Sequence, residues 1–466
     1  MEAHDLMKQA KVVVVMVPFP SQGHLNQLLH LSCLISSYNI PVHYACSATH
    51  VRQAKLRFHA MDSLNKINFN EISTPPLLSP QSPSQLHPCF ESSLLLRKPI
   101  FEFLSKMSSE ARKIIVIYDV LMTYVVQDIV TLQNAEAYSF RPSSAFSTVF
   151  DSWQLIGKPF ELEEPTGLPD VEGCYSQEIL NFFTLQSGCT NFGAGYIVNS
   201  SRSIEGPYID LLVNTPISRN DQTWAIGPFN LGVEYKSKDS NGQHKCLKWL
   251  DKQPAKSVLF VSFGTTNSMA DEQIKELAIG LEKSEQKFLW VLRDADNVDI
   301  FEGDDRKGEL PEGYEERVKE FGMVVRDWAP QLEILAHPST GGFMSHCGWN
   351  SCLESISMGV PIAAWPMQFD QPKNAFLVTD ILKIGLLVNR WTPNQEVVVS
   401  SIIVEAIKGL MASEKGKDIK KRAEELGCAA RRSVKEGGVS RMKLDSFIAH
   451  ITSSCAHNRL ASVSFG

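Results

Sequence analysis

Within residues 328–371, WAPQLEILAHPSTGGFMSHCGWNSCLESISMGVPIAAWPMQFDQ, side chains suited to a base, two phosphates and a sugar stand in series. Trp328 offers a flat face on which a base can stack, a contact worth roughly 1–3 kcal/mol. Gln331 carries an amide donor and a carbonyl acceptor, which suits the edge of a uracil. The run GGFMSHCGWNS reads as a buried strand, a glycine turn and the start of a helix. Unpaired N–H groups and the positive end of the helix dipole are therefore aimed at whatever lies in front of Asn350 and Ser351, a place that suits a diphosphate. His346 can donate a hydrogen bond there, and Gly348 lets the backbone approach closely. Glu354, farther along the same helix, can accept from ribose hydroxyls. Asp370 and Gln371 add the carboxylate and amide that several sugar hydroxyls require. A second chemical feature is His24 in PFPSQGHLNQ, at the junction of a strand and a helix, where ligands of open α/β sheets collect. A neutral imidazole there can take a proton from a hydroxyl.

Two frames are needed to hold these residues. The β-branched run KVVVVMV from Lys11 reads as a fully buried parallel strand, ended by Pro18 and Pro20. Leu25, Leu28, Leu29 and Ile35 then recur at helical spacing, so the chain opens with strand, loop and helix. IPVHYA, KIIVIYDV and GYIVNS read as further strands of the same unit, and the Ser/Pro-rich STPPLLSPQSPSQLHP as a long surface loop bordering a ligand. The polar stretch between Phe229 and Lys245 is the expected linker. Beyond it SVLFVSFG, KFLWVLR, MVVRDW, TGGFMSHC and PIAAWPM alternate with helical stretches such as DEQIKELAIGLEKS. The fold class expected is α/β, with one parallel-sheet domain over 1–235 and a second over 236–452. Two charged amphipathic helices close the second domain, and 453–466, which lacks periodicity, is expected to be a disordered tail.

The box as a whole resembles the sugar-nucleotide-binding box of the plant UDP-dependent glycosyltransferases, in WAPQ, His337, GGFMSHCGWNS, the Glu354-Ser355 pair, GVP, WP and the closing DQ. The resemblance runs from about Lys11 to Ile451. It implies two Rossmann-like domains facing each other across a cleft, the GT-B arrangement, with the donor on the second domain, the acceptor on the first, and the last helix crossing back. It implies UDP-sugar contacts from Ser262, Thr265, Trp328, Ala329, Gln331, His346, Trp349, Asn350, Ser351, Glu354, Asp370 and Gln371. For Ser262 and Thr265 a plain turn is an equal reading of the residues. His24 takes the place of the family's catalytic base, and Asp119, at the end of a later strand, that of the carboxylate orienting it; Asp128 is a nearby alternative, and strand-end position favours Asp119. Glutamine at 371 accompanies glucose in the family, where histidine accompanies galactose, so UDP-glucose is the expected donor and UDP-xylose the alternative. VVVVMVPFPSQGHLNQLLHLSCLISSYNIPVHYACSATHVRQA and YDVLMTYVVQDI look like the zeatin O-glycosyltransferase branch. Tyr118 and Arg141-Pro142-Ser143 depart from that branch, which leaves a flavonoid or other phenol as the runner-up to a cytokinin. Pro20, Leu86, Phe140, Ser143 and Phe146 are expected around the acceptor.

Length and composition set the remaining bounds. At 466 residues the chain is too long for one ordinary core. A net charge of −7 and a pI near 6.0 give no general attraction to nucleic acid or anionic membrane. Val12 to Val17 is too short to span a bilayer and no signal peptide is read; a cytoplasmic protein with reduced thiols is expected, and separately a monomer. The ten cysteines hold no CxxC pair. Asp294-Ala295-Asp296 matches a metal-binding DxD, but its acidic surroundings read as solvated loop; neither metal nor cofactor is expected. The chain has no GxGxxG after a strand and no GxxxxGK[ST], which argues against a dinucleotide oxidoreductase and a P-loop ATPase. A silent UDP-sugar-binding protein would keep the box and lose the base, and His24 with Asp119 argues otherwise.

Overall fold

The computed structural model describes residues 12–57, 66–73, 88–189, 192–215, 217, 222–231, 243–264, 269–292, 309–392 and 396–453. Two parallel sheets organise them. The first contains β1 Val12–Val17, β2 Val42–Ser47, β3 Ile67–Ile72, β4 Lys113–Asp119, β5 Ala135–Arg141, β6 Gly193–Val198 and β7 Gln222–Ala225, in the order β3-β2-β1-β4-β5-β6-β7. The second contains β8 Val258–Ser262, β9 Lys287–Val291, β10 Gly322–Val325, β11 Thr340–Ser345, β12 Ile362–Ala364 and β13 Gly385–Leu387, in the order β10-β9-β8-β11-β12-β13. Each sheet grows in one direction and then reverses, between β1 and β4 in the first and between β8 and β11 in the second. A crevice opens at the strand ends at such a reversal. His24 and Asp119 stand at the first of these places, and Ser262 and His346 at the second.

The central strands are apolar on both faces because helices cover both faces. Val14 to Val17 and Ile114 to Ile117 are buried completely, and Leu25, Leu28, Leu29 and Ile35 of helix Gln22–Ser36 close over them. Helix Val439–Thr452 packs on the first sheet, with Leu444, Phe447, Ile448 and Ile451 in the same core as Val14, Ile115 and Tyr138. Trp224 and Phe447 meet edge to face at 5.1 Å. Most of the expected linker, 232–242, lies outside the described residues. Phe229–Leu231 forms a short turn with Phe229 fully buried against Phe140, and Lys245 already begins helix Lys245–Leu250.

The sheets are joined through polar and aromatic contacts. Trp349 donates its indole N–H to the Asn199 carbonyl at 2.9 Å. Lys373, fully buried, pairs with Asp151 and donates to Gln154 at 3.1 Å. Phe146 and Phe376 lie nearly parallel, with centroids 6.1 Å apart. Among the described residues no helix is long and apolar enough to cross a membrane, and the described cysteines are all free thiols.

Candidate active site

β1 and β4 pair in register from Val12↔Lys113 to Val17↔Tyr118. The chain leaves β1 through Pro18, Phe19 and Pro20 and turns into helix Gln22–Ser36, which sets His24 in the first turn; β4 ends beside it on Asp119. Asp119 is completely buried, and its Oδ2 lies 2.7 Å from His24 Nδ1. Its Oδ1 accepts the Leu121 N–H at 2.9 Å, so both oxygens of the carboxylate are fixed. Burial pulls the imidazole pKa down, but the charge and hydrogen bond of Asp119, with help from Asp370, outweigh it and raise the pKa. With Nδ1–H directed at Asp119, Nε2 is the nitrogen left to accept a proton. The ring keeps 22% of its surface exposed, enough for a substrate to reach it. Asp128 is committed elsewhere: Arg97 donates to it from Nε and Nη2 at 2.8 and 2.7 Å.

The second reversal faces this pair. Asn350 donates from Nδ2 to the Gly23 carbonyl at 2.7 Å, which sets helix Trp349–Met358 against the turn that carries His24. At the N-terminus of that helix His346 is buried, and burial lowers its pKa to about 4, so the ring is neutral. Its Nδ1 is buried without a hydrogen-bond partner among the described residues. Two glycines make room for the ring. A Cβ on Gly264 would lie 2.8 Å from His346 Cε1, and one on Gly348 would lie 2.5 Å from Nε2. Gly264 also has φ +80°, a conformation that glycine adopts at no steric cost. An unpartnered buried nitrogen beside free helix N–H groups is a place for an acidic oxygen.

Along the helix the polar groups are linked. Gln331, at the first position of helix Gln331–Ala336, donates from Nε2 to Ser351 Oγ at 3.1 Å and to Glu354 Oε2 at 2.7 Å. Burial raises the Glu354 pKa to about 7, against the pull of the Gln331 hydrogen bond. Trp328 stands apart, 44% exposed with His244 edge-on at 6.1 Å, and presents a face to solvent as few tryptophans do. Ala329 follows it, half-buried. Ser262 ends β8 opposite Ser345 of β11 and is buried. Asp370 stands at the N-terminus of helix Gln371–Phe376 without a side-chain cap bond; burial pushes its pKa up to about 6, with Asp151 adding to the rise and the Asn374 hydrogen bond and His24 opposing it. Gln371 is buried, and its carbonyl accepts the N–H groups of Met367 and Gln368 at 3.0 and 3.1 Å. Its acceptor oxygen is thereby spent within the loop, and the amide N–H donors are the polar positions that remain.

Several expected residues are placed differently. The Trp349 indole is buried and its N–H spent on the Asn199 carbonyl. The Asn350 amide is turned to Gly23 and serves the joint between the sheets. Phe140 and Phe146 are completely buried among the described residues. Phe140 packs on Phe229 in the core under helix Gln22–Ser36, because along β5 it takes the inward side of the two-residue alternation. Phe146 packs on Phe150, Tyr208 and Phe376 between the sheets. Pro20 is buried, and Ser143 is half-buried with its hydroxyl 3.4 Å from that of Thr148. Thr265, Leu86, the Asp294–Asp296 pair and the tail after 453 lie outside the described residues.

Aromatic rings that motif spacing did not single out stand beside the imidazole. Phe19 is 5.1 Å from both His24 and Phe90, and Phe90 is 4.9 Å from Phe182. Phe90 and Phe182 come from segments distant in sequence, and no period links them to His24.

Residues 10–231 match the glycosyltransferase N-terminal domain family, and residues 229–414 the UDP-glucoronosyl and UDP-glucosyl transferase family. The chain is 50% identical over 457 residues to a zeatin O-glucosyltransferase of Phaseolus lunatus, covering 95% of this chain and 98% of that one. It is 51% identical over 458 residues to a zeatin O-xylosyltransferase of Phaseolus vulgaris, covering 96% and 99%. Among solved structures it resembles Phytolacca americana UGT2 complexed with UDP-2fluoro-glucose and pterostilbene, with TM-score 0.78 and 28% identity over 95% of this chain and all of that one.

Proposed function

From the premise that this chain belongs to the plant UDP-glycosyltransferase family and has its GT-B fold, we propose that it transfers glucose from UDP-glucose to the side-chain hydroxyl of a cytokinin of the zeatin type, with inversion. The acceptor follows from the two bean relatives, which match end to end and are both named for zeatin. His24 Nε2 takes the hydroxyl proton as the acceptor oxygen bonds to the anomeric carbon, and the bond from that carbon to the diphosphate oxygen breaks in the same step. The products are a β-glycoside and UDP. Asp119 holds the ring and balances the imidazolium. Charge gathering on the diphosphate is met by His346, Ser351 and the N-terminus of helix Trp349–Met358. Trp328 stacks on the uracil and Glu354 takes the ribose. Asp370 and Gln371 hold the sugar, and the N–H donors left on Gln371 fit the hydroxyls of glucose. The acceptor-binding domain is 1–235 and the donor domain 236–452; the enzyme works as a monomer in the cytoplasm.

The observation that carries this reading is the 2.7 Å contact of His24 with a buried carboxylate, set against the turn that ends in the box. The buried rings Phe19, Phe90 and Phe182 pack beside the base and back the acceptor side of the site with apolar surface. The test is a competition of trans-zeatin against a flavonoid panel with UDP-glucose, UDP-xylose and UDP-galactose, read by mass spectrometry. Glucosyl-zeatin is the expected product. Turnover of a flavonol or isoflavone without product from zeatin rejects the cytokinin, and a galactose preference rejects the role of Gln371.

A further inference from the structure

Asn374 is completely buried, with both N–H donors of its side-chain amide and its carbonyl oxygen in hydrogen bonds. Its Nδ2 donates to Asp370 Oδ2 at 2.9 Å and to the Cys347 carbonyl at 3.0 Å. Its Oδ1 accepts the Ser144 hydroxyl at 2.7 Å. Ser144 Oγ in turn accepts the Ser147 N–H at 3.0 Å, which caps helix Ala145–Leu155 of the first sheet. Cys347, between His346 and Gly348, has φ +64°, a left-handed conformation that a residue with a side chain holds only under outside constraint. One amide therefore touches the sugar carboxylate, the strained turn that presents the phosphate groups, and the facing domain.

We propose that Asn374 is a positioning residue for glycosyl transfer, holding Asp370 and the His346–Gly348 turn in one register and tying both to the first sheet through Ser144. The inference rests on the roles given above to Asp370 and His346. No common replacement supplies two donors and one acceptor at this reach: aspartate cannot donate, and leucine leaves three buried partners unpaired. Asp370 is open to electrostatic influence from every side. His24 faces it from helix Gln22–Ser36, Asp151 from helix Ala145–Leu155, Cys174 and Tyr175 from the segment after Val171, and Cys352 from helix Trp349–Met358. Asn374 supplies the side-chain hydrogen bond that favours its ionised form, the form that accepts from sugar hydroxyls, with a backbone hydrogen bond acting in the same direction.

The test uses the full chain and its Asn374→Ala and Ser144→Ala variants. In Asn374→Ala, kcat falls about tenfold to a hundredfold, as for a misplaced reacting group, while Kd for UDP stays within about twofold. The affinity for UDP-glucose without acceptor weakens as pH falls through about 6 in the wild type, where Asp370 takes up a proton. In the variant this weakening begins at higher pH. Glu354 titrates in both proteins, so the difference between the curves belongs to Asp370. Ser144→Ala cuts the tie to the first sheet together with the helix cap on the Ser147 N–H, and leaves the bonds of Asn374 to Asp370 and Cys347; kcat falls about threefold to tenfold and the pH curve does not move. Unchanged kcat in Asn374→Ala, loss of UDP affinity in step with kcat, or an unmoved pH curve overturns the proposal. Should Asn374→Ala not fold, unchanged kcat in Ser144→Ala overturns it. A wild-type chain that forms no glycoside instead overturns the reading of the box, which separates the two failures.

Discussion

Replacing Asp119 by Asn changes one atom and forces a choice between two faulty geometries. In the first, Oδ1 keeps the Leu121 N–H at 2.9 Å and the new Nδ2 stands 2.7 Å from His24 Nδ1. Nδ1 must then be the acceptor, the ring proton moves to Nε2, and the atom facing the substrate becomes a donor with no base left. In the second, the carbonyl faces His24 and keeps the right tautomer, but the amide N–H2 meets the Leu121 N–H head-on in a buried site. An unmet buried donor costs about 1–3 kcal/mol, so the competent form is depleted about 5- to 150-fold. That form has also lost the charge that stabilises the imidazolium, a charge-assisted contact worth about 1.5–3 kcal/mol, or roughly another 10- to 150-fold. The combined loss in kcat is about 10² to 10⁴, with UDP affinity unchanged. The pH profile supplies the second readout. Wild-type kcat/KM falls as pH drops through the raised pKa of His24, because the base must be neutral. Without Asp119 the main raising influence is gone and burial remains, so the residual activity of the variant has its acid limb at lower pH. Rates with UDP-glucose and trans-zeatin, taken from about pH 5 to 9 by quantifying the glycoside, measure both. A loss under about tenfold at the alkaline end, or an acid limb that stays in place, refutes the assignment of the pair.

Three other outcomes follow from the site and its supports. Trp328→Ala weakens UDP and UDP-glucose alike by roughly tenfold to a hundredfold, from about 1–3 kcal/mol of stacking, and calorimetry showing unchanged UDP affinity would remove the ring from the site. Gly264→Ala places a Cβ 2.8 Å from His346 Cε1 at a position with φ +80°, so His346 shifts off the diphosphate and kcat drops about tenfold to a hundredfold; wild-type kcat would show that His346 does not serve the leaving group. Glu205 accepts the N–H groups of Ala145 and Phe146 at 3.1 and 2.8 Å in a buried site, and Glu205→Ala orphans both at about 1–3 kcal/mol each, lowering the thermal midpoint by several degrees. An unmoved midpoint in calorimetry would mean that water or a shifted side chain replaces the cap.

What the sequence disclosed depended on whether a residue's neighbours were close along the chain. β1, β4, β8 and β11 are apolar runs because both faces are covered, and each could be read directly; β3 (INFNEI) and β5 (AEAYSFR) mix polar residues into the pattern, and β13 has three residues, too few to carry one. The box reads clearly because a strand, a turn and a helix start deliver most of its polar groups from one continuous segment. His24 could be placed for the same reason, at the end of an evident strand. The aromatic neighbours of His24 could not, since Phe90 and Phe182 reach Phe19 through the tertiary fold, and apolarity alone, the signal at Phe140 and Phe146, marks core more often than cavity. Asn374 occupies a middle ground. It lies four residues after Asp370, so the hydrogen bond between the two follows from helix geometry and was open to sequence reasoning. Its links to Cys347 and Ser144 were not, because they cross 27 and 230 residues of chain. A motif thus names the groups that meet the ligand, whereas the groups that set their register are supplied by the packing of distant segments.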